Sequence, residues 1–271
     1  MWVLPLRDNM PVRRPPVITW ALLAAVAVIF FFWQEGLSAS AQQDAVFNLE
    51  RAAIPCELVE GRPLTVAEAE ATFGLGQTES CDIDNGASPA FDPDKNVWLA
   101  VVTSMFLHGS LLHLGGNMLF LWIFGNNVED TFGKVGFTLF YMVGGVVATL
   151  THVALNLDST VPLVGASGAI AAVMGAYFVL FPRARVHTAV FMLLIAVVAI
   201  PARWVLGFWF VSQFFVNPNS GVAWAAHVGG FVFGVLVALL VRAIRTPRPA
   251  PTTWTTPGWQ GWQRRRSPWD Y

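Results

Sequence analysis

The chain has 271 residues, of which 55% are hydrophobic and only 12% are charged, and its formal net charge is −1. A soluble globular domain carries about 25% charged residues, so this composition excludes an ordinary soluble enzyme, and two cysteines exclude a disulfide-dense scaffold. The near-zero net charge gives no support to nucleic-acid binding, and no nucleic-acid partner is expected. The few charges avoid several long apolar stretches, a pattern typical of a polytopic membrane protein.

Apolar stretches of about 17–25 residues predict membrane-spanning helices. Six stretches match or approach this length, and we predict an all-α, six-transmembrane-helix bundle that occupies residues 17–245. The six are Val17–Trp33, Leu111–Asn126, Val135–Leu155, Leu163–Phe181, Val186–Val205 and Val222–Ile244. Pro201 and Arg203 predict the end of the fifth span, which places Gly207–Asn219 at the membrane interface.

The placement of Lys and Arg predicts the topology, because these residues mark the cytoplasmic side of a membrane. In a six-span arrangement, the basic residues of segment 1–16, those between spans four and five, and those after span six fall on one side. We therefore expect both termini to be cytoplasmic and the long first loop, residues 34–97, to be extracytoplasmic. Residues 246–271 are rich in Pro, Thr, Trp and Arg and are expected to form a disordered cytoplasmic tail on the inner leaflet; a partner-binding tail is the alternative.

Two local features stand out in the long first loop. Thr65 followed by Glu68 is a capping-box pair, which predicts a short helix over residues 66–73 with Gly74 at its end. Cys56 and Cys81 are the two cysteines of the chain, and both lie in this loop. In an oxidising compartment they can form a disulfide, whereas in a reducing one they would remain two free thiols.

Polar side chains inside a membrane are costly and often functional. The predicted spans hold His113 and Asn117 in span two, His152 at the end of span three, Ser167 in span four and His227 in span six. No Asp or Glu lies deep in a predicted span and no HExxH motif occurs, which argues against an aspartyl or a zinc intramembrane protease. The missing carboxylates also argue against a proton-coupled pump, and we expect no cofactor and no metal.

Depth in the membrane brings several of these groups together. Spans two, four and six all enter from the side of the long loop, and at about 1.5 Å per residue Ser167 and His227 lie about 6–9 Å below that boundary. His113 and Asn117 bracket the same level. A serine beside a histidine is the minimal unit for nucleophilic acyl transfer, and Asn117 and His113 could donate hydrogen bonds to the developing oxyanion.

Small residues favour close packing of spans four and six. Ser167, Ala171 and Gly175 share one face of span four. His227, Gly230 and Gly234 share one face of span six. Such packing would bring the serine within hydrogen-bond reach of the histidine. Taken singly, however, each polar residue is more typical of helix packing than of catalysis, so a structural interpretation of each remains open.

Four motifs occur in order along the predicted spans, and they resemble those of the rhomboid family of intramembrane serine proteases. They are HGSLLHLGGN (His108–Asn117), GNNVED (Gly125–Asp130), GASGAI (Gly165–Ile170) and AHVGGFVFG (Ala226–Gly234). The resemblance covers about Thr103–Ile244, with the first span fitting by position. It implies a six-span bundle that acts as an endopeptidase on transmembrane protein substrates, within or near their spans.

The resemblance also implies roles for individual residues. Ser167 would be the nucleophile and His227 the general base, while His113, Asn117 and the Ser167 backbone N–H would form the oxyanion hole. Glu129 resembles the family's structural carboxylate at the inner end of span two. Four residues after the serine the family often has an aromatic that stacks on the catalytic histidine, but this chain has Ala171, so another residue, such as Trp224 or Tyr177, must hold the imidazole.

Two other functions compete with a protease. A rhomboid-like protein that binds clients without cutting them usually lacks the serine or the histidine, and both are present here. A small-solute channel or transporter would need a polar path across the membrane, but the inner halves of these spans are apolar. We expect a multi-pass protein of the bacterial plasma membrane whose partners are transmembrane substrates and the lipid bilayer; the sequence does not give the oligomeric state.

Overall fold

The computed structural model describes residues 2–34, 38, 40–191, 195–217 and 221–244, and the predicted tail lies outside them. The described chain is mostly helical. Its helices are α1 (Val17–Val28, continued by a π-helix, Ile29–Trp33), α2 (Ala41–Arg51), α3 (Pro55–Glu60), α4 (Val66–Leu75), α5 (Val97–Thr103), α6 (Leu111–Leu155), α7 (Ser167–Leu180), α8 (Ala202–Ser212) and α9 (Trp224–Ile244). Its strands are β1 (Trp2–Asp8), β2 (Arg185–Phe191) and β3 (Ile195–Pro201), and 3₁₀ turns at Ser104–Phe106 and Gln213–Phe215 follow α5 and α8.

Helix α6 combines the predicted second and third spans in one element that reverses direction. Gly133, inside α6, has φ 75° and ψ 165°, which are not helical values. His113, near the start of α6, lies against Gly165, and Ala148, near its end, lies against Gly168. Because Gly165 and Gly168 are close in the chain, both ends of α6 reach the same end of the bundle, so its two halves run antiparallel.

A three-stranded antiparallel sheet replaces the predicted fifth span. The strand order is β1-β2-β3, with Trp2 paired to Phe191 and Arg185 paired to Pro201. The all-α prediction is wrong here, and so is the helical span Val186–Val205. Its apolar run is rich in Val and Ile, and β-branched residues of this kind suit strands as well as membrane helices. The helix of this region, α8, starts only at Ala202.

Length and composition identify fewer membrane spans than the sequence analysis expected. Among the described residues, two helices are long and apolar enough to cross a membrane, α6 and α9. Shorter apolar helices occur at Val17–Trp33, Val97–Phe106 and Ser167–Leu180. The count of six spans therefore remains a prediction.

Helices α7 and α9 pack with their backbones in close contact. A Cβ on Gly230 would lie 2.1 Å from the carbonyl oxygen of Gly168, and one on Gly234 would lie 1.9 Å from that of Ala172. A Cβ on Gly175 would lie 2.1 Å from the carbonyl oxygen of Phe231. The predicted packing of these small-residue faces is confirmed, since no larger side chain fits between the two helices.

The carboxylate of Glu129, on α6, holds the start of α1. Its oxygens accept hydrogen bonds from the backbone N–H groups of Ile18 and Thr19, at 3.0 and 2.8 Å, and from the Thr19 hydroxyl at 2.8 Å. Glu129 is only 3% exposed. It therefore satisfies N–H groups that lack partners within α1 and ties that helix to α6.

Residues 40–96, most of the predicted long loop, fold into a compact unit that we call the cap. It contains α2, α3 and α4, and a disulfide joins Cys56 to Cys81. The capping box of Thr65 and Glu68 is present as predicted, but α4 continues past Gly74 to Leu75, and Gly76, with a φ of 70°, caps its end. The carboxylate of Glu68 also binds the Arg62 guanidinium through two hydrogen bonds, at 2.8 and 2.9 Å.

Candidate active site

Ser167 is the first residue of α7, and its hydroxyl faces α9. The Oγ atom of Ser167 lies 2.8 Å from Nε2 of His227, which is hydrogen-bond distance. His227 lies in the first turn of α9, and the glycine contacts between α7 and α9 set the separation of the two side chains. The predicted span Leu163–Phe181 placed Ser167 about five residues inside a helix, whereas residues 163–166 are non-helical and the helix starts at the serine itself.

The imidazole of His227 is held from the side of α8. Its Nδ1 lies 2.7 Å from Oε1 of Gln213, and the Trp209 ring packs against it with the ring centroids 5.7 Å apart. The expectation that Trp224 or Tyr177 would hold the imidazole finds no support. Trp224 packs on Phe214, and the Tyr177 hydroxyl donates to Asp8.

His113 and Asn117 lie beside Gly165, just before the serine. A Cβ on Gly165 would lie 2.8 Å from Nε2 of His113 and 3.6 Å from Nδ2 of Asn117, and this glycine has a φ of 125°. Both side chains therefore face the backbone that leads into Ser167. Glycine is required here, because a larger residue would be strained and would collide with the histidine ring.

Asn117 is fixed in place by a second histidine. Its Nδ2 lies 2.9 Å from Nε2 of His108, and Asn117 is only 9% exposed. The amide nitrogen can only donate, so Nε2 of His108 accepts this bond, and the other amide hydrogen of Asn117 has no partner among the residues that the structure describes. Gln34 in turn holds the backbone of His108 through two hydrogen bonds, at 2.7 and 3.0 Å.

The position of Ser167 at a helix N-terminus has an electrostatic consequence. The first N–H groups of a helix have no partners within it, and together with the helix dipole they favour negative charge. The backbone N–H of Ser167 is one of these groups, since the serine is the first residue of α7. A negative charge that develops next to its Oγ would thus meet the N-terminus of α7 and the side chains beside Gly165.

Three residues of this cluster were not among the predicted site residues, namely Trp209, Gln213 and His108. Trp209 and Gln213 were assigned to an interfacial segment because Val186–Val205 was taken as the fifth span. Gln213 is a buried polar residue inside an otherwise apolar run, and that signal could have identified it. His108 entered the sequence analysis only as the first residue of the HGSLLHLGGN motif, and its contact with Asn117 depends on the turn at Ser110 that starts α6.

Comparison with known proteins identifies relatives for the part of the chain that carries this site. The Rhomboid domain model matches residues 95–244. The chain is 32% identical to yeast "Rhomboid protein 1, mitochondrial" over 148 residues, which is 51% of this chain and 40% of that protein. It is 33% identical to "Rhomboid protease GluP" of Bacillus subtilis over 144 residues, 52% of this chain and 25% of that protein. It is 30% identical to zebrafish "Presenilin-associated rhomboid-like protein A, mitochondrial" over 148 residues, 52% of this chain and 37% of that protein. The chain thus matches less than half of the length of each.

These relatives correct the expected location. The yeast and zebrafish proteins carry mitochondrial names, as do the bovine "Presenilin-associated rhomboid-like protein, mitochondrial" and the Arabidopsis "RHOMBOID-like protein 12, mitochondrial". The expectation of a bacterial plasma membrane is therefore wrong, since these relatives are mitochondrial by name. The positive charges predict only the sidedness of the chain and carry no information on which membrane holds it.

The family itself is established by the extent of the match. The matched residues 95–244 cover more than half of the chain and include Ser167, His227, His113 and Asn117. The predicted resemblance is confirmed, and the chain belongs to the rhomboid family.

Proposed function

We propose that this protein is an intramembrane serine endopeptidase that cleaves transmembrane proteins within or near their spans. The observation that carries the proposal is the 2.8 Å contact between Ser167 Oγ and His227 Nε2 at the N-terminus of α7. A serine hydroxyl paired with an imidazole is the arrangement that makes serine nucleophilic. The family includes serine proteases, and the relative GluP of Bacillus subtilis is a rhomboid protease by name.

The proposed reaction has two halves. Ser167 Oγ attacks the carbonyl carbon of the scissile peptide bond while its proton passes to Nε2 of His227, and the carbonyl oxygen becomes an oxyanion. The C–N bond then breaks as His227 returns the proton to the leaving amine, which leaves an ester on Ser167. Water, deprotonated by His227, attacks this ester; the C–O bond to Ser167 then breaks as His227 returns the proton to Oγ, which releases the second product as a carboxylic acid and restores the serine. The amide hydrogen of Asn117 that does not bind His108, the side chain of His113 and the Ser167 N–H stabilise the oxyanion.

The surroundings of Ser167 favour a small side chain at the cut. A small cavity adjoins the serine, and its lining includes Gly145, Ala148, Gly168 and Ala226. Met105 covers part of it, since a Cβ on Gly145 would lie 2.5 Å from the Met105 sulfur. A substrate with alanine or glycine beside the scissile bond would fit there, whereas an aromatic residue would require these helices to move apart.

The membrane arrangement is part of the proposal. The six spans would be α1, the two halves of α6, α7, α8 and α9, and the cap would lie on the side of the membrane to which the Ser167 end faces. Helix α7 has 14 residues, about 21 Å at 1.5 Å per residue, which is shorter than the hydrocarbon core of about 30 Å. A helix of this length that reaches the opposite boundary leaves Ser167 below the nearer one, within reach of a transmembrane substrate.

The test uses purified protein in detergent with a model transmembrane substrate. We expect cleavage by the native chain and loss of cleavage to background in Ser167→Ala and in His227→Ala. Melting temperatures close to that of the native protein will establish that both variants fold. Substantial cleavage by purified, folded Ser167→Ala would refute the mechanism.

A client-binding protein without activity is the second candidate. The mitochondrial relatives are rhomboid-like by name and their names do not state an activity. A fluorophosphonate probe separates the two functions, because it reacts with an activated serine and requires no substrate. Labelling of the native chain but not of Ser167→Ala would favour the protease, and binding of transmembrane segments without any labelling would favour the client-binding protein.

A further inference from the structure

Gln213 occupies a special position at the end of α8. It starts the 3₁₀ turn Gln213–Phe215, and it is only 6% exposed although it lies in an apolar part of the sequence. Its Oε1 is 2.7 Å from Nδ1 of His227, and its Nε2 is 3.0 Å from the carbonyl oxygen of Trp209 and 3.3 Å from the Ser212 hydroxyl. Both ends of this buried amide therefore have partners.

These contacts determine which imidazole nitrogen carries the proton. The carbonyl oxygen of Trp209 can only accept, so the amide nitrogen of Gln213 must face it and the amide oxygen must face His227. An amide oxygen can only accept as well, so Nδ1 of His227 carries the hydrogen and donates it. In the neutral imidazole, Nε2 is then the unprotonated nitrogen, and it is Nε2 that faces the Ser167 hydroxyl.

Two contacts from α8 hold the ring where the family often uses one aromatic on α7. In this chain that position is Ala171, which has no ring to stack on His227. Ala171 packs closely on α9, since a Cβ added to Gly230 would lie 3.3 Å from the Ala171 Cβ. The Trp209 ring packs on the imidazole at an interplanar angle of 39°, and Gln213 lies one helical turn further along. The orientation of His227 thus depends on the end of α8.

We propose that Gln213 is a positioning residue that holds His227 in the Nδ1-protonated tautomer, so that Nε2 is available to accept the Ser167 proton. This inference rests on the proposed protease function and deepens it. Gln213 does not contact the substrate or Ser167; it acts through the imidazole. Its role matches that of the carboxylate in a Ser-His-Asp triad as far as tautomer and ring orientation are concerned, but it adds no charge that would stabilise the imidazolium.

The decisive variant is Gln213→Met, which keeps the length of the side chain and removes the acceptor. We expect kcat to fall about 10–100-fold, the usual effect when a metal-bound histidine loses the hydrogen-bond partner of its other ring nitrogen. KM should be unchanged, because substrate binding is not affected. Gln213→Glu retains an oxygen acceptor and should recover most of the native rate. Phe215→Leu is the matched control, since Phe215 lies in the same 3₁₀ turn, is 82% exposed, and should give the native kcat.

A spectroscopic measurement separates positioning from a merely structural role. In ¹⁵N-histidine-labelled protein, with the His227→Ala spectrum used for assignment, the native chain should give an Nδ1–H imidazole for His227. Gln213→Met should give a mixture of tautomers at an unchanged melting temperature. A folded Gln213→Met with native kcat and an undisturbed Nδ1–H would overturn the inference.

Two controls keep the test decisive. If Gln213→Met does not fold, Gln213→Glu carries the test, and a folded Gln213→Glu with background kcat would equally overturn the proposed acceptor. Failure of the inference is distinguishable from failure of the proposed function. In the first case Ser167→Ala is still inactive while Gln213→Met is fully active, and in the second Ser167→Ala itself still cleaves.

Discussion

Asn117 illustrates how one side chain can be bound by the protein and still be available for chemistry. One of its amide hydrogens is directed to His108, and the other, beside the backbone that leads to Ser167, has no partner within the described parts of the chain. An amide cannot act as the base or as the nucleophile, so its contribution must be electrostatic. His108 fixes the direction in which this donor points, which reduces the reorganisation needed during the reaction.

The consequence is a graded effect of substitution at Asn117. Asn117→Ala should lower kcat by about 10²–10³, the usual effect of removing one oxyanion donor, with a smaller change in KM. Cleavage should stay measurable, and a fluorophosphonate probe should still label Ser167 slowly, because the serine and histidine are intact. An unimpaired kcat would mean that the oxyanion is held elsewhere. Complete loss of labelling in a folded variant would assign Asn117 a structural role.

The packing of α7 on α9 determines whether the serine and histidine meet at all. The faces of these helices allow backbone to approach backbone at Gly175, Gly230 and Gly234. This contact lies next to Ser167 and His227, so even a small separation of the helices lengthens the distance between these two side chains.

A single methyl group tests this contact. In Gly234→Ala the new Cβ would lie 1.9 Å from the carbonyl oxygen of Ala172, so the helices must separate. We expect a loss of stability of about 1–3 kcal/mol, typical of overpacking, and a loss of cleavage. Gly115→Ala is the matched control, because among the described residues no atom lies within 4 Å of its new methyl group. Native activity and melting temperature in Gly234→Ala would contradict this account.

Strand β1 brings a carboxyl group into the interior at its last residue, Asp8. The Asp8 carboxylate accepts hydrogen bonds from the Tyr177 hydroxyl at 2.5 Å and from Asn127 Nδ2 at 2.8 Å. Burial is the largest effect on this group, and it raises the pKa of Asp8 from 3.8 to about 6. The folded protein therefore binds a proton more tightly at Asp8 than the unfolded chain does.

Linkage gives the sign of the pH effect. Because the folded pKa is the higher one, the stabilising contribution of Asp8 is complete below about pH 4 and is lost as the pH rises through about 6. The melting temperature of the native chain relative to Asp8→Asn should therefore fall between pH 4 and pH 7. The asparagine amide oxygen can accept both hydrogen bonds without a charge. Parallel melting curves for the two proteins over this range would contradict the prediction.

At the scale of the whole molecule, the cap is the least predictable part. The capping box of α4 was visible in the sequence, because the Thr65–Glu68 signal is local. Helices α2 and α3 were not predicted, although Ser40 and Gln43 form a second capping box at the start of α2. Their place in the cap depends on long-range contacts, such as the hydrogen bond from Lys95 Nζ to the carbonyl oxygen of Leu49.

The site shows the same division between local and long-range information. Ser167, His227, His113 and Asn117 could be grouped from the sequence because the depth of a residue in a span follows from its number in the chain. Gln213 stands out in the sequence only as a polar residue in an apolar run, and its place beside His227 could not be predicted, because it requires that β2 and β3 form strands and not a membrane helix. Hydrophobic content alone does not distinguish these two structures for an apolar run of this kind.

The stabilisation that the Cys56–Cys81 disulfide gives the cap can be predicted quantitatively. The closed loop between Cys56 and Cys81 has a sequence separation of 25 residues, so the chain-entropy model gives a stabilisation of the cap of about 3–4 kcal/mol. The double variant Cys56→Ser, Cys81→Ser should lower the stability of the cap by about this amount in denaturant titrations monitored within the cap. Mass spectrometry of unreduced protein from membranes should find the bridge, and two free thiols would refute it.

The cap also contacts the segment that precedes the nucleophile. The backbone N–H of Cys56 donates to the carbonyl oxygen of Ser159 at 3.0 Å, and that of Leu163 donates to the carbonyl oxygen of Ala53 at 2.8 Å. Both bonds lie on the stretch that leads to Ser167. During biogenesis, a chain whose cap is still unfolded would lack these restraints, so under the proposed protease function we expect activity to appear only once the cap has folded. A newly inserted copy would then be unable to attack neighbouring membrane proteins before its own assembly has finished.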